Sequence, residues 1–276
     1  MPDTAVRPAI DADFSGIAQL YSQVGFRAGL VDDVRFVRDV LGGRVFVAER
    51  GGEVVGASAG LLFGRSGWLG GIAVSPSAQR QGLGGALTAE TMEWLSASGA
   101  GTQLLHATAV GLPLYARLGF VTEVACVQYH SPDPLPPATP YGVRDGRMSD
   151  LPAVLRLDRE ATGEDRSALL TRWWPSDALV CLEGGEITGF RLAASGNHTA
   201  GAVIGSTPQS GRALLQSVYG DIAKGGVAIP VSNGDAAATL AAAGLRESVT
   251  TTRMYYGERP MWRPTWLYGL FNLFWG

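Results

Sequence analysis

The stretch GGIAVSPSAQRQGLGGALTAETMEWL, Gly70 to Leu95, opens as an apolar run and breaks at Ser75-Pro76-Ser77. It then sets Gly82, Gly84 and Gly85 where a helix is about to begin. Leu83, Leu87, Thr91 and Leu95 recur at helical spacing, so the helix has an apolar face to bury. Glycines at its start let backbone N–H groups approach a ligand without β-carbon collisions. The first turn of a helix leaves several N–H groups unpaired at the positive end of the dipole, and Arg80 adds a formal charge beside them. A phosphate group suits such a turn. The alternative is that the glycines simply permit tight packing. No Lys-Ser or Lys-Thr follows them, so this is not a P-loop. Nor does the turn follow the first strand of the chain with an acidic residue at the spacing that dinucleotide binding requires.

Outward from this stretch, the first half reads as a strand at Val6, helices from Phe14 to Val24 and Asp32 to Leu41, and a hairpin from Val45 to Leu62. A strand from Trp68 to Val74 leads to the glycine turn and its helix. A strand from Leu104 to Thr108, a short helix from Leu112 to Leu118 and a strand from Val121 to Tyr129 complete it. Five prolines in SPDPLPPATP, Ser131 to Pro140, read as a stiff extended linker near the midpoint. Beyond it the order repeats. AVRPAIDADFSGIAQL from Ala5 is echoed by GVRDGRMSDLPAVLRL from Gly142, and RVFVAERGGEVVGASAG from Arg44 by ALVCLEGGEITGFRLA from Ala178. LYARLGFVTEVACVQYH is echoed by TLAAAGLRESVTTTRMYYG. Three matches in order argue for a tandem repeat of one α/β unit. The expected fold is two such units, each a mixed, mostly antiparallel twisted sheet flanked by helices, over residues 1–130 and 141–276.

The 276 residues suit one large or two ordinary domains. With 46% hydrophobic and 17% charged residues, the chain should bury substantial cores. A formal charge of -3 with no basic block argues against nucleic acid as a partner. Cys126 and Cys181 make neither a metal spacing nor a disulfide framework, and each lies in an apolar strand-like run as a buried thiol would. The N-terminal segment lacks a basic stretch followed by an apolar core, no run approaches a membrane span, and a cytoplasmic location is the expectation.

The run IAVSPSAQRQGLGGAL resembles the acetyl-CoA-binding motif of the GNAT superfamily of N-acetyltransferases, Q/R-x-x-G-x-G/A after a strand and V-x-P. Gln79, Gly82 and Gly84 stand at its defined positions. LYARLGF, Leu114 to Phe120, resembles the family's closing motif, a helical tyrosine followed by Gly-Phe and the last strand. The resemblance implies that the backbone of Ile72, Ala73 and Val74 holds the acetyl carbonyl and pantetheine. It places the pyrophosphate in the loop of Gln79, Arg80, Gln81, Gly82, Leu83, Gly84, Gly85 and Ala86. Tyr115 becomes the candidate acid for the departing thiolate, a phenol that stays protonated at neutral pH. Acetyl-CoA is the implied co-substrate, and no metal is expected. In the second half AVIGSTPQSGRALLQSV has no paired glycines, and Leu240 stands where the tyrosine would fall. The whole resembles a bacterial tandem-GNAT subgroup with a divergent C-terminal unit that has lost cofactor binding.

A small-molecule or peptide amine is the expected acceptor, and a second copy of the chain a candidate partner. Asp158, Arg159, Glu160, Glu164, Asp165 and Arg166 form a charged cluster in a chain otherwise poor in charge, with Trp173 and Trp174 beside it. It reads either as a solvated helix end or as an acceptor pocket with carboxylates and aromatic walls, in which Asp158, Arg166 and Trp173 bind the amine. His106 is either a proton relay or a hydrogen-bonded structural histidine. Glu90 and Glu93 belong to a solvated helix face. The aromatic tail from Met261 should pack into the second unit or a partner copy rather than onto a membrane. Direct transfer to an amine is the expected reaction, and a non-catalytic acyl-CoA sensor the alternative. A chain ending near Pro136 is expected to keep acetyl-CoA binding, with the second unit covering the acceptor side.

Overall fold

The computed structural model describes residues 4–131, 133, 135, 138, 140–193, 201–220 and 226–276. Most of the proline-rich linker read from the sequence lies outside them. The first half contains β1 (Thr4–Pro8), α1 (Phe14–Gln23), α2 (Leu30–Asp39), β2 (Arg44–Arg50), β3 (Glu53–Phe63) and β4 (Ser66–Val74). It continues with α3 (Leu83–Ala97), β5 (Thr102–Ala107), α4 (Leu112–Arg117) and β6 (Val121–His130). The second contains β7 (Val143–Asp145), α5 (Leu151–Thr162), α6 (Ser167–Trp173), β8 (Ala178–Glu183), β9 (Glu186–Leu192) and β10 (Ala202–Gly205). It ends with α7 (Pro208–Ser217), β11 (Val227–Pro230), α8 (Gly234–Ala242), β12 (Arg246–Gly257) and β13 (Leu267–Gly269).

The repeat holds at atomic detail. Arg7 clamps Asp13 with bonds of 2.7 and 2.8 Å, and Arg144 clamps Asp150 with bonds of 2.7 and 3.0 Å. Each carboxylate also accepts the backbone N–H three residues before it, Ile10 and Arg147 respectively. Both Gly-Gly-Glu hairpins turn through two left-handed glycines, Gly51-Gly52 and Gly184-Gly185, the backbone a tight two-residue hairpin demands.

In the first sheet the period-two alternation of β2 splits its side chains between layers. Val45 and Val47 pack with Phe14, Ile17 and Val34 of α1 and α2, while Phe46 and Ala48 pack with Leu87 of α3.

The two sheets do not divide at residues 131–140. Eight strands run β1-β2-β3-β4-β5-β12-β6-β11, and five run β13-β10-β9-β8-β7. Each half's final long strand therefore lies beside the other half's preceding one. β12 sits between β5 and β6, and β6 sits between β12 and β11, all antiparallel. This corrects the expectation of a self-contained first unit, whose sheet takes two strands from residues beyond 226. One apolar core accordingly unites Trp68, Leu104 and Cys126 with Val154, Phe190, Phe271 and Trp275.

Candidate active site

β4 and β5 run parallel for only three pairs, ending at Trp68 and Leu104, and then part. Beyond Trp68, β4 keeps its partner β3 on one side, while among the described strands none pairs its other edge. A bulge lies in the parted stretch: three steps of β4, Gly70 to Ala73, oppose two of β3, Ala59 to Ala57. Gly71 sits there at φ 60, and its carbonyl accepts the Tyr21 hydroxyl at 2.9 Å. The edge of Ile72, Ala73 and Val74 is thus without a neighbouring strand, the Val74 carbonyl alone being met by the Gln79 side chain, and can bond an extended amide chain as another strand would.

The glycine turn follows directly. Gln79 donates to the Val74 carbonyl at 3.0 Å, and Gln81 bridges the Ser77 carbonyl and the Arg50 guanidinium. Arg80 and Gly82 are both left-handed, at φ 60 and 85, which turns the chain sharply into α3. A β-carbon on Gly82 would meet nothing within 4 Å. On Gly84 it would come no closer than 3.5 Å to Leu114, and on Gly85 no closer than 3.6 Å. Internal packing therefore does not require these glycines to be bare. By contrast, Gly56 and Gly60 of β3 are bare because α3 presses on them: Leu87 stands 2.7 Å and Trp94 2.9 Å from a β-carbon there. The tight-packing reading fails at the turn, and the cradle geometry fits a phosphate-bearing ligand. Arg80 and Gln81 are exposed, Leu83, Gly84 and Gly85 half-buried, and Ala86 exposed at the mouth of the cradle.

Tyr115 rides on α4, one residue from the Leu114 that faces Gly84 and Gly85. Its ring packs edge-on to Phe120 at 6.0 Å, and burial pushes its phenol up to about 12. His106, on the parting strand β5, stacks on Trp68 at 5.4 Å. Neither ring nitrogen has a hydrogen-bond partner, so it is not the hydrogen-bonded structural histidine of the sequence reading. Burial, helped by Arg253 opposite it on β12, pushes it down to about 3 and keeps it neutral.

The charged cluster divides: Arg159, Glu160 and Asp165 are exposed, as a solvated helix end requires, whereas Asp158, Glu164 and Arg166 are buried. Asp158 and Arg166 are about 1% and 3% exposed and face each other through two bonds, 2.6 and 3.1 Å. Their charges neutralise one another, and Arg166 also donates to the Gly276 carbonyl at 3.1 Å. Trp173 is stacked between Phe36 at 5.2 Å and Phe271 at 5.5 Å. These three residues form the seam between the halves rather than an open pocket. Glu164, which the sequence reading left without a role of its own, accepts the Trp68 indole N–H at 2.7 Å. Burial lifts its carboxyl to about 7 against the pull of Arg166 and Arg253. Glu164 and both arginines line a small cavity with Trp68, Trp262 and Gly276. Arg253 is in turn paired with Glu123 and lies 3.9 Å over Trp262. Glu90 and Glu93 are exposed, as a solvated face requires. No group of metal-ligating side chains occurs among the described residues, and none of their helices is long and apolar enough to cross a membrane.

The second half closes the same places with its own atoms. Where β4 parts from β5, the equivalent gap between β10 and β11 holds β13, paired to β10 and tied to β11 through Leu270 N–H to Ala228 O at 2.7 Å. At the start of α7, Thr207 caps the Ser210 N–H, and the Tyr268 ring fills the space over Gly211. Leu240 is fully buried.

Two family models, each an acetyltransferase (GNAT) domain, match residues 42–122 and 154–269. No curated protein matches the chain in sequence. Similar folds include a Pyrococcus horikoshii protein described as an acetyltransferase by similarity alone, with TM-score 0.83 and 20% identity over 100% of this chain and 97% of that one. A GCN5-related N-acetyltransferase of Sphaerobacter thermophilus gives 0.69 and 21%, over 95% and 97%. A tandem GNAT protein from the clavulanic acid biosynthesis pathway gives 0.65 and 18%, over 92% and 98%.

Proposed function

The chain belongs to the GNAT acetyltransferases, and from that premise we propose that its first half carries an acetyl group from acetyl-CoA directly to an amine. The observation that supports this most is the turn at Gly82, Gly84 and Gly85, where Gly82 serves a left-handed backbone and no packed side chain crowds Gly84 or Gly85, at the head of α3 and beside a parted strand. Acetyl-CoA held there would supply the activated acyl group as its thioester. The unpaired N–H groups of the first turn of α3 and the Arg80 guanidinium would bind its pyrophosphate. The free edge of Ile72, Ala73 and Val74 would align its amide arm, with the bulge at Gly71 breaking the ladder beside the acyl carbon.

Tyr115 is the proton donor for the departing sulfur. Its phenol, pushed up to about 12, remains protonated throughout the neutral range. The thiols are unsuited to carry an acyl group: Cys126 is fully buried and pushed up to about 12, and Cys181 is buried and raised. Attack by the amine on the bound thioester needs no such carrier. His106, neutral and with both ring nitrogens buried and unpartnered, keeps one lone pair able to accept a hydrogen bond. Among the described residues of the second half, β13 and Tyr268 occupy the counterpart of this site. Asp158, Arg166 and Trp173 act on the acceptor side indirectly in this reading, by fixing the seam against which the acceptor lies.

Calorimetric titration with acetyl-CoA tests the site. Gly84→Val and Arg80→Glu should each weaken binding at least tenfold, about 1.4 kcal/mol, with thermal unfolding unchanged. Equal affinity in both variants would remove the basis for the proposal. Tight binding without thiol release against amines would instead favour a sensor.

A further inference from the structure

The last residues of the chain return from the second half to the first. After β13 the segment makes a tight turn, in which Asn272 Oδ1 accepts the N–H groups of Phe274 at 2.7 Å and Trp275 at 2.9 Å. The turn is anchored on both sides. Upstream, Asn233 donates to the Leu267 carbonyl at 3.0 Å and Tyr268 donates to Asp235. Downstream, Arg166 holds the Gly276 carbonyl. The turn presents the Phe274 ring flat to bare backbone on β4: a β-carbon on Gly70 would stand 2.7 Å from it, and one on Gly71 3.0 Å. The Tyr21 hydroxyl lies 2.5 Å from that same point over Gly71, and Tyr21 packs on Phe26 at 5.3 Å. Phe274 and Phe26 are only partly covered, Phe26 being 36% exposed. Two aromatic rings, Phe274 and Tyr21, therefore meet over the strand just before Ile72, on the sheet face of α1 and α2, with Phe26 packed on Tyr21 behind them. They bring no formal charge with them.

We propose that Phe274 is a specificity-determining residue, the wall along which the acceptor reaches the acyl group, and that it selects primary amines carried on slender, unbranched apolar chains. The inference rests on the acetyltransferase reading of the first half. An acceptor that meets an acyl group at Ile72 passes beside the ring, which closes the space over Gly70 and Gly71. Apolar carriers match uncharged aromatic walls, whereas a charged carrier would lose its hydration there without a partner. A branched or cyclic carrier collides with a ring that is fixed by the Asn272 turn and by its edge-on contact with Trp275 at 4.8 Å.

The test uses the full chain with acetyl-CoA and two probe amines, hexylamine and cyclohexylmethylamine, followed by thiol release. The wild type should favour hexylamine. Phe274→Ala should shift the ratio of kcat/KM toward cyclohexylmethylamine by about tenfold or more, chiefly through KM, with acetyl-CoA affinity retained. Phe274→Leu, which keeps the apolar contact at smaller volume, should fall between them. A ratio unchanged in both variants, equal losses for both amines, or a wild type that binds acetyl-CoA yet turns over neither amine would each overturn the role of Phe274. Failure of the wild type to bind acetyl-CoA would overturn the acetyltransferase reading itself.

Discussion

In the proposed reaction Tyr115 combines two demands that usually conflict, a ring buried in a core and a hydroxyl within reach of a ligand. α4 resolves them by lying against α3 where the glycine turn opens, so the ring joins Leu69, Leu105 and Phe120 while its neighbour Leu114 borders the cradle. Removing only the oxygen separates the two roles. Tyr115→Phe should lower turnover by roughly 10²–10⁴ while acetyl-CoA affinity and unfolding temperature stay near wild type. Steady-state rates close to normal would reduce the residue to packing. Its motif made Tyr115 legible from the sequence, because LYARLGF is local. Asp158 and Arg166 were legible only as charged. Their burial depends on Phe271 and Gly276 of the tail and on Trp68 of the other half, around a hundred residues away, and no spacing within LDREATGEDR reveals that neighbourhood. The adjacent glycines Gly70 and Gly71, set in an apolar strand, were the available sign that another group comes close to this backbone. They were read only as part of the strand.

At the level of single elements, the two helices α3 and α7 show how one position has taken opposite uses. Each begins beside a strand end, and each carries glycine in its first turns, Gly84 in one and Gly211 in the other. Gly84 has room for a β-carbon, which would come no closer than 3.5 Å to Leu114. Gly211 faces the ring of Tyr268, and a β-carbon there would lie 2.0 Å from it. The pair predicts unlike responses to the same change. Gly211→Ala should destabilise the protein by about 1–3 kcal/mol through overpacking, whereas Gly84→Ala should leave chemical denaturation unaltered. Equal midpoints for both variants would contradict the filled slot. Most element boundaries came within one or two residues of the sequence reading, because periodicity and turn residues act locally. Pairing was not legible in that way. Nothing in Arg246 to Gly257 states that it lies between β5 and β6 rather than beside its own β11, since alternation specifies a buried face and not a neighbour.

Across the whole molecule, the exchange of β6 and β12 makes the halves interdependent. Without β12 and β11, β6 would have no strand beside it, β5 would carry an open edge, and Glu123 would lose both Arg253 and the Trp262 indole. Open edges of that length are templates for aggregation. A chain cut within residues 131–140 and produced as two polypeptides should therefore assemble, each fragment retaining the other through purification. The first fragment alone should be aggregated or without a cooperative transition. Size-exclusion chromatography and circular dichroism would check both outcomes, and a monomeric, acetyl-CoA-binding first fragment would refute them. The strand that fills the second half's slot acts, in effect, as a tethered competitor. A segment joined covalently to the groove it occupies is present at an effective concentration on the order of millimolar, whatever the surroundings contain. Any free ligand contending for that groove would have to displace a rival that never diffuses away. Since the same segment continues to Phe274, the filled groove also moors the ring that stands over Gly70 and Gly71 of the other half.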